Sequence, residues 1–344
     1  MGDLCEGPES AKPAVNKSAI AAKNVRFKLC CILQRTVEVT IFHSFARSNQ
    51  NHHLMLVFNK VDDLQQWLQA RREEGRIVGF APTMGALHRG HLELIRLSRQ
   101  AGDVAVASIF VNPTQFNDLK DLEKYPRTPE RDIELLISAH CDALFMPPVE
   151  EVYPPGLDLT VRLDFGQLEQ VMEGKFRPGH FAGMATVVHR LLNIVRPERL
   201  YMGQKDFQQL SVVRDMLRQF HSPIELIMCA TVREADGLAM SSRNVRLTPA
   251  MRAVAPLIYQ TLQWAKAELR HRSSSDIQSE ALQSLSSAGL RPEYFDLVDG
   301  LSLLPVEHWA DSDFIVACTA AFAGEVRLID NVVVKESRLS AETK

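Results

Sequence analysis

Between residues 60 and 73, apolar side chains fall at Val61, Leu64, Trp67 and Leu68 with charges between them, the spacing of a single buried helix face. The period then changes. Residues 76–81 (RIVGFA) form an apolar run too short for a helix and read as a buried strand, followed by a turn at Pro82, Thr83, Met84 and Gly85. A helix is predicted from His91 to about Gln100, carrying Leu92, Ile95 and Leu97 and stopped by Gly102-Asp103. Residues 104–111 (VAVASIFV) are apolar throughout, as in a strand covered on both faces, and Asn112-Pro113 ends them. Strand, turn, helix and strand form a βαβ unit, which implies parallel pairing and a right-handed crossover.

The alternation continues with helices at 129–139, 184–194 and 206–220 and strands at 142–146, 199–202 and 224–230. Residues 55–230 are therefore expected to form an α/β domain, a Rossmann-like doubly wound parallel sheet. From 231 to 337 the texture differs: helices at 249–270 and 275–288 precede strands at 292–297, 313–320 and 326–334. That order predicts a smaller C-terminal α+β lid domain, with 338–344 a polar tail.

Residues 1–54 stand apart. Early glycines, prolines and serines predict disorder, and two apolar runs at 27–33 and 37–42 are interrupted by Arg35 and Glu38. The segment carries seven Lys/Arg and four Asp/Glu, against 32 and 38 in the remaining 290 residues. It reads as a largely disordered extension, with a targeting segment, a dispensable leader and an upstream start all open. Asp3, Glu6 and Glu9 count against a transit peptide, and Glu6 occupies the position where a myristoylation signal needs Ser or Thr.

Composition narrows the classes. With 46% apolar and 24% charged residues the chain is neither disordered nor fibrous, and a net charge of −3 excludes a broad nucleic-acid-coating surface. No uncharged apolar run reaches membrane-span length. The six cysteines include no CxxC pair, so reduced thiols in a cytoplasmic protein are expected.

Four clusters carry candidate chemistry. In Met84-Gly85-Ala86-Leu87-His88-Arg89-Gly90-His91 the glycines allow close approach to a phosphate chain, a helix start offers N–H groups, and His88 and His91 can reach one point. The alternatives are two helix-start histidines, one capping and one packed, or a metal site. Asn112 and Gln115, just past a buried strand, offer amides to a small polar substrate, or else mark an ordinary strand terminator. In Gly203-Gln204-Lys205-Asp206, Lys205 can neutralise phosphate and Asp206 can cap a helix or assist magnesium, with Gln209 one turn on; a solvated helix start is the plainer reading. Residues 233–244 contain Met240-Ser241-Ser242-Arg243, a loop able to close over a polyphosphate or a polar linker between domains.

Taken in order with YPRTPERD (125–132), EGKFRPGHF (173–181) and RLIDN (327–331), these stretches resemble the pantothenate synthetase (pantoate–β-alanine ligase) family of the HxGH nucleotidyltransferase-like superfamily, from about Met55 to Val334. The resemblance implies joining of D-pantoate to β-alanine with ATP and Mg2+ through an enzyme-bound pantoyl adenylate, by a homodimer. It implies ATP contacts from Met84 to His91, Gly203 to Asp206, Val232 and Met240 to Arg243. His91 is implied as proton donor, His88 as a phosphate holder, and Lys205 and Arg243 as the cations that offset charge. Gln115 is implied to meet both pantoate and β-alanine, and Gln209 to meet pantoate. Gln204 departs from the family's usual Glu, so a metal role for that carboxylate does not transfer, and Arg89 replaces a common acidic residue. Loops 117–128 and 236–244 are the lid candidates. Another small-molecule nucleotidyltransferase of the superfamily is the alternative enzyme, and a nucleotide-binding regulator the non-enzyme reading.

Overall fold

The structure, a computed structural model, describes residues 21–27 and 37–43 as strands, together with 53–115, 122–123, 125–156 and 158–337. Strands β1 (Ala21–Phe27), β2 (Val37–His43), β3 (Leu54–Phe58), β4 (Val78–Thr83), β5 (Val104–Ile109), β6 (Ala143–Phe145), β7 (Arg199–Gly203) and β8 (Glu225–Cys229) form one sheet in the order β1-β2-β3-β6-β5-β4-β7-β8. From β3 to β8 the pairing is parallel, while β1 and β2 extend the β3 edge in antiparallel fashion. The expected parallel α/β sheet is thus present. Two features differ from expectation. β3, too short to separate from the helix after it by periodicity, was not predicted. Two segments of the stretch assigned to a disordered extension are strands, the second (Val37-Glu38-Val39-Thr40-Ile41) rich in the β-branched residues that favour strands and paired on both sides, with β1 and β3.

Helices α1 (Val61–Glu73), α4 (His180–Val195) and α5 (Phe207–Gln219) cover one sheet face, and α2 (Arg89–Gln100) and α3 (Pro129–Ser138) the other. β5 shows why its sequence is apolar throughout. Val104 and Val106 enter the core under α1 and α4, and Ala105 and Ala107 the core under α2 and α3. The chain steps from β4 to β5 and β6 on one side, then returns for β7 and β8 on the other. Such a reversal opens a crevice at the carboxyl ends of the strands, where open α/β sheets bind ligands.

The smaller unit packs α6 (Leu257–Glu268) and α7 (Ser274–Ser287) on an antiparallel sheet of β9 (Arg291–Asp299), β10 (Phe314–Ala323) and β11 (Val326–Glu336), ordered β11-β10-β9. The helix predicted over 249–270 is two, Pro249–Val254 and Leu257–Glu268, because Pro256 supplies no N–H to continue the ladder. Alternate residues of β10 face two cores. Ile315, Ala317 and Ala321 pack on α6 and α7, while Phe314, Val316, Cys318 and Ala320 join the core of the large sheet. Cys141, Cys229 and Cys318 are buried free thiols. Among the described residues no helix is long and apolar enough to cross a membrane.

Candidate active site

At the end of β4, Gly85 (φ 82°) and Ala86 (φ 49°) occupy the left-handed region and turn the chain out of the sheet. Asp132 of α3, 1% exposed, accepts the N–H groups of Ala86 (2.9 Å) and Leu87 (2.8 Å) and the hydroxyl of Thr128 (3.1 Å). YPRTPERD and the HxGH loop are therefore one unit. A carboxylate thus occupies the concavity made by the Ala86 and Leu87 N–H groups, while Gly90 of the same loop lines the cavity at the strand ends.

The start of α2 is capped in the same internal way. His88 Nδ1 accepts the N–H of Gly90 (3.1 Å), and His91 Nδ1 accepts the N–H of His88 (3.3 Å), so both histidines cap rather than one. A Cβ on Gly90 would sit 2.9 Å from the His88 ring, so this glycine makes room for the cap. Since both Nδ1 atoms accept, the neutral rings carry their protons on Nε2. Burial, then Lys205, push the His88 pKa down to about 4, against a smaller opposing effect of Asp206; burial, then His88, push that of His91 to about 3. Two uncharged rings 4.0 Å apart thus present two Nε2–H donors. Donors to an anion at this helix start are side chains rather than free backbone amides.

These rings line a cavity of about 230 Å³ at the strand ends. Met84, Gln115, Gly203, Lys205, Asp206, Gln209, Val232, Met240, Ser241, Ser242 and Arg243 line it as well. Gln115 Nε2 donates to Met84 Sδ (3.0 Å). Lys205 Nζ lies 3.6 Å from Asp206 Oδ1. Asp206 stands at the start of α5 but makes no side-chain cap, contrary to one expected role. Desolvation in the cleft raises its carboxyl pKa, yet the charges of Lys205 and then Arg243 outweigh that and hold it below the usual value, although the side chain still touches solvent. It is the sole carboxylate lining the cavity among the described residues, which contain no group of three metal-ligating side chains.

Six predicted residues stay outside the cavity lining. Gly85, Ala86 and Leu87 are held by or against Asp132. Arg89 points outward, 3.7 Å from Glu234. Gln204 turns its amide to Asn331 (3.0 Å). Asn112 is 1% exposed and donates to Gln115 Oε1 (3.3 Å) and Gly183 O (3.3 Å), while its Oδ1 accepts from Tyr153 (3.0 Å) and Thr114 (3.1 Å). Where the sequence suggested a substrate contact, the structure places an amide bonded internally, which orients Gln115. The lid candidates at 117–121 and 124 lie outside the described residues, as does Phe116.

Sequence reasoning missed one wall. Met184, Val187, Val188 and Leu191 of α4 line the cavity at helical spacing, a stripe that reads as ordinary core until the helix is placed over the strand ends. It also assigned no role to His180, whose Nδ1–H donates to Gln115 O (3.0 Å) and whose pKa is pushed down to about 4, first by burial and then by Arg177. Its neutral Nε2 keeps the lone pair.

The family model for pantoate-beta-alanine ligase matches residues 56–333. A pantothenate synthetase of Porphyromonas gingivalis W83 is 48% identical over 279 residues, 81% of this chain and 99% of the relative. The crystal structure of pantothenate synthetase from Thermus thermophilus superposes with a TM-score of 0.76 at 42% identity, covering 81% of this chain and 99% of that one. A pantoate-beta-alanine ligase from Francisella tularensis, solved with "Beta-gamma ATP" and β-alanine, gives 0.68 at 33% identity, covering 81% and 97%.

Proposed function

The chain belongs to the pantoate–β-alanine ligase family, and on that premise we propose that it joins D-pantoate to β-alanine with ATP through a pantoyl adenylate, releasing AMP and pyrophosphate. The observation that carries this reading is the composition of one cavity. Two neutral Nε2–H donors, Lys205, Ser241, Ser242 and Arg243 suit a polyphosphate, and an apolar stripe with two glutamines suits a small branched hydroxy acid.

Pantoate's carboxylate is a weak nucleophile facing an anionic triphosphate. Lys205 and Arg243 offset that repulsion, and the His88 and His91 donors hold the oxygens on which charge builds as pyrophosphate leaves. Neutral rings suit this work, since two imidazolium ions at 4.0 Å would repel one another. Met184, Val187, Val188 and Leu191 receive pantoate's two methyl groups, while Gln115 and Gln209 receive its polar end. Asp206 is the carboxylate available to magnesium, an ion that nucleotide sites commonly hold through phosphate oxygens as well; when bound it neutralises phosphate charge. β-Alanine's free amine then attacks the activated carbonyl and expels AMP. The lone pair on His180 Nε2 is an acceptor for that amine. The family resemblance implies a homodimer, a mass that light scattering on the purified chain measures, and the cysteine usage points to the cytoplasm.

The test is product release. Pyrophosphate is expected with ATP and pantoate, and rapid AMP release only when β-alanine is added. AMP release indifferent to β-alanine would favour a nucleotidyltransferase that frees its product. His91→Ala and Lys205→Ala, made separately, are each expected to slow pantoate-dependent pyrophosphate release by about 10²–10³-fold. Near-normal rates in both would refute the site assignment.

A further inference from the structure

The RLIDN stretch of β11 lines no part of the main cavity, yet its last residue holds the turn that carries Lys205, and the residue before it holds Arg233 of the loop that leads to Arg243. We propose that Asn331 and Asp330 are positioning residues: they place Lys205 and tether the loop that delivers Arg243, so that the edge of the small sheet sets the spacing of the two phosphate-facing cations. This rests on the reading of Lys205 given above.

Asn331 is 2% exposed and its side-chain amide is fully used. Nδ2 donates to the carbonyls of Gln204 (2.9 Å) and Lys205 (2.8 Å), and Oδ1 accepts from Gln204 Nε2 (3.0 Å). Both N–H bonds meet carbonyls and the oxygen meets a donor, so only one amide orientation satisfies all three contacts. The two carbonyls belong to the turn Gln204–Asp206 between β7 and α5. Two bonds from one side chain therefore fix the backbone from which Lys205 extends, and the third holds the Gln204 side chain beside it.

Asp330 serves the second loop. Its carboxylate takes a bidentate pair from Arg233 (2.6 and 3.0 Å) and accepts the N–H of Asn331 (2.8 Å). Arg233 also donates to Asn331 O (3.2 Å) and Gly237 O (3.1 Å), with its guanidinium 3.8 Å from the Tyr259 ring centroid. A bridge between Arg233 and Ala239, and Met240 N–H donating to Val232 O (3.0 Å), close the loop just before Ser241, Ser242 and Arg243. Adjacent residues on one strand thus hold both cation-bearing segments.

A double-mutant cycle on the full chain tests this, read as the kcat of pantoate-dependent pyrophosphate release with thermal melts alongside. Asn331→Ala is expected to lose tenfold to a hundredfold, the scale of a misplacement of about 1 Å. In a Lys205→Ala background the same change is expected to cost less than about threefold, because a residue acting through Lys205 has little left to act on. A merely structural role would multiply the two losses. If Asn331→Ala does not fold, Gln204→Ala removes one of the three bonds from the outer side of the turn and is expected to show the same non-additivity with a smaller loss. Multiplying losses, or Asn331→Ala within twofold of wild type beside a slow Lys205→Ala, overturn the inference alone. A Lys205→Ala enzyme as fast as wild type overturns the reading of the site and the inference with it.

Discussion

His88, His91 and His180 have pKa values pushed from the ordinary 6.5 to about 4, about 3 and about 4. In the unfolded chain each takes up a proton near pH 6.5, while the folded protein does so only near its lowered value. Between those limits the unfolded state binds more protons, so stability falls as pH drops below about 6.5 and is flat in this contribution above it. The melting temperature is expected to be lower at about pH 5 than at about pH 7.5. His88→Asn keeps an acceptor for the Gly90 N–H and removes one of these groups, so the gap should shrink; an unchanged gap would refute the assignment. The histidine pair was legible in the sequence because its spacing brings two rings to one point. Its tautomer was not, since that depends on which backbone N–H each Nδ1 meets. The internal partners of Asn112 were hidden for a similar reason: an amide past a strand end looks the same whether it meets a ligand or Tyr153.

At the scale of elements, α4 supports the Gln115 end of the cavity through a missing side chain. A Cβ on Gly183 would lie 2.4 Å from the carbonyl oxygen of Thr114, and backbone cannot yield as a side-chain tip would. Gly183→Ala is expected to displace residues 112–115 and raise the KM for pantoate about tenfold or more. The helix itself gains from alanine by about 1 kcal/mol, so the melting temperature should change little. Steady-state kinetics with varied pantoate checks this, and an unchanged KM would show that the turn tolerates the shift. The periodicities located α1 to α5 and the central strands because each buries one regular face. They failed at β3, at Pro256 and at the cavity face of α4. There a short apolar run, a proline in a helical pattern and a cavity wall look like ordinary core in one dimension.

For the whole molecule, the smaller unit, expected as a lid, shares a core with the large domain through its sheet, with Phe314 6.1 Å from Phe207 across the boundary. Arg327 pairs bidentately with buried Glu173 (2.7 and 2.8 Å), which also accepts the Tyr294 hydroxyl (2.9 Å). Burial raises the Glu173 pKa, but these partners outweigh it and hold the carboxyl below its usual value. We therefore expect one cooperative calorimetric transition, and two separated transitions would show that the units unfold independently. Arg327→Ala leaves a buried carboxylate without its main partner and is expected to cost about 3–5 kcal/mol, read from denaturant midpoints. The order of motifs along the chain already specified the α/β class, most of the side chains that gather at the cavity and the family resemblance, because local period and residue chemistry are properties of short stretches. Which polar groups face the cavity and which are consumed internally was decided by tertiary structure alone. Asp132, Asn112 and Asn331 bond to partners 45, 71 and 127 residues away, separations that no local pattern encodes.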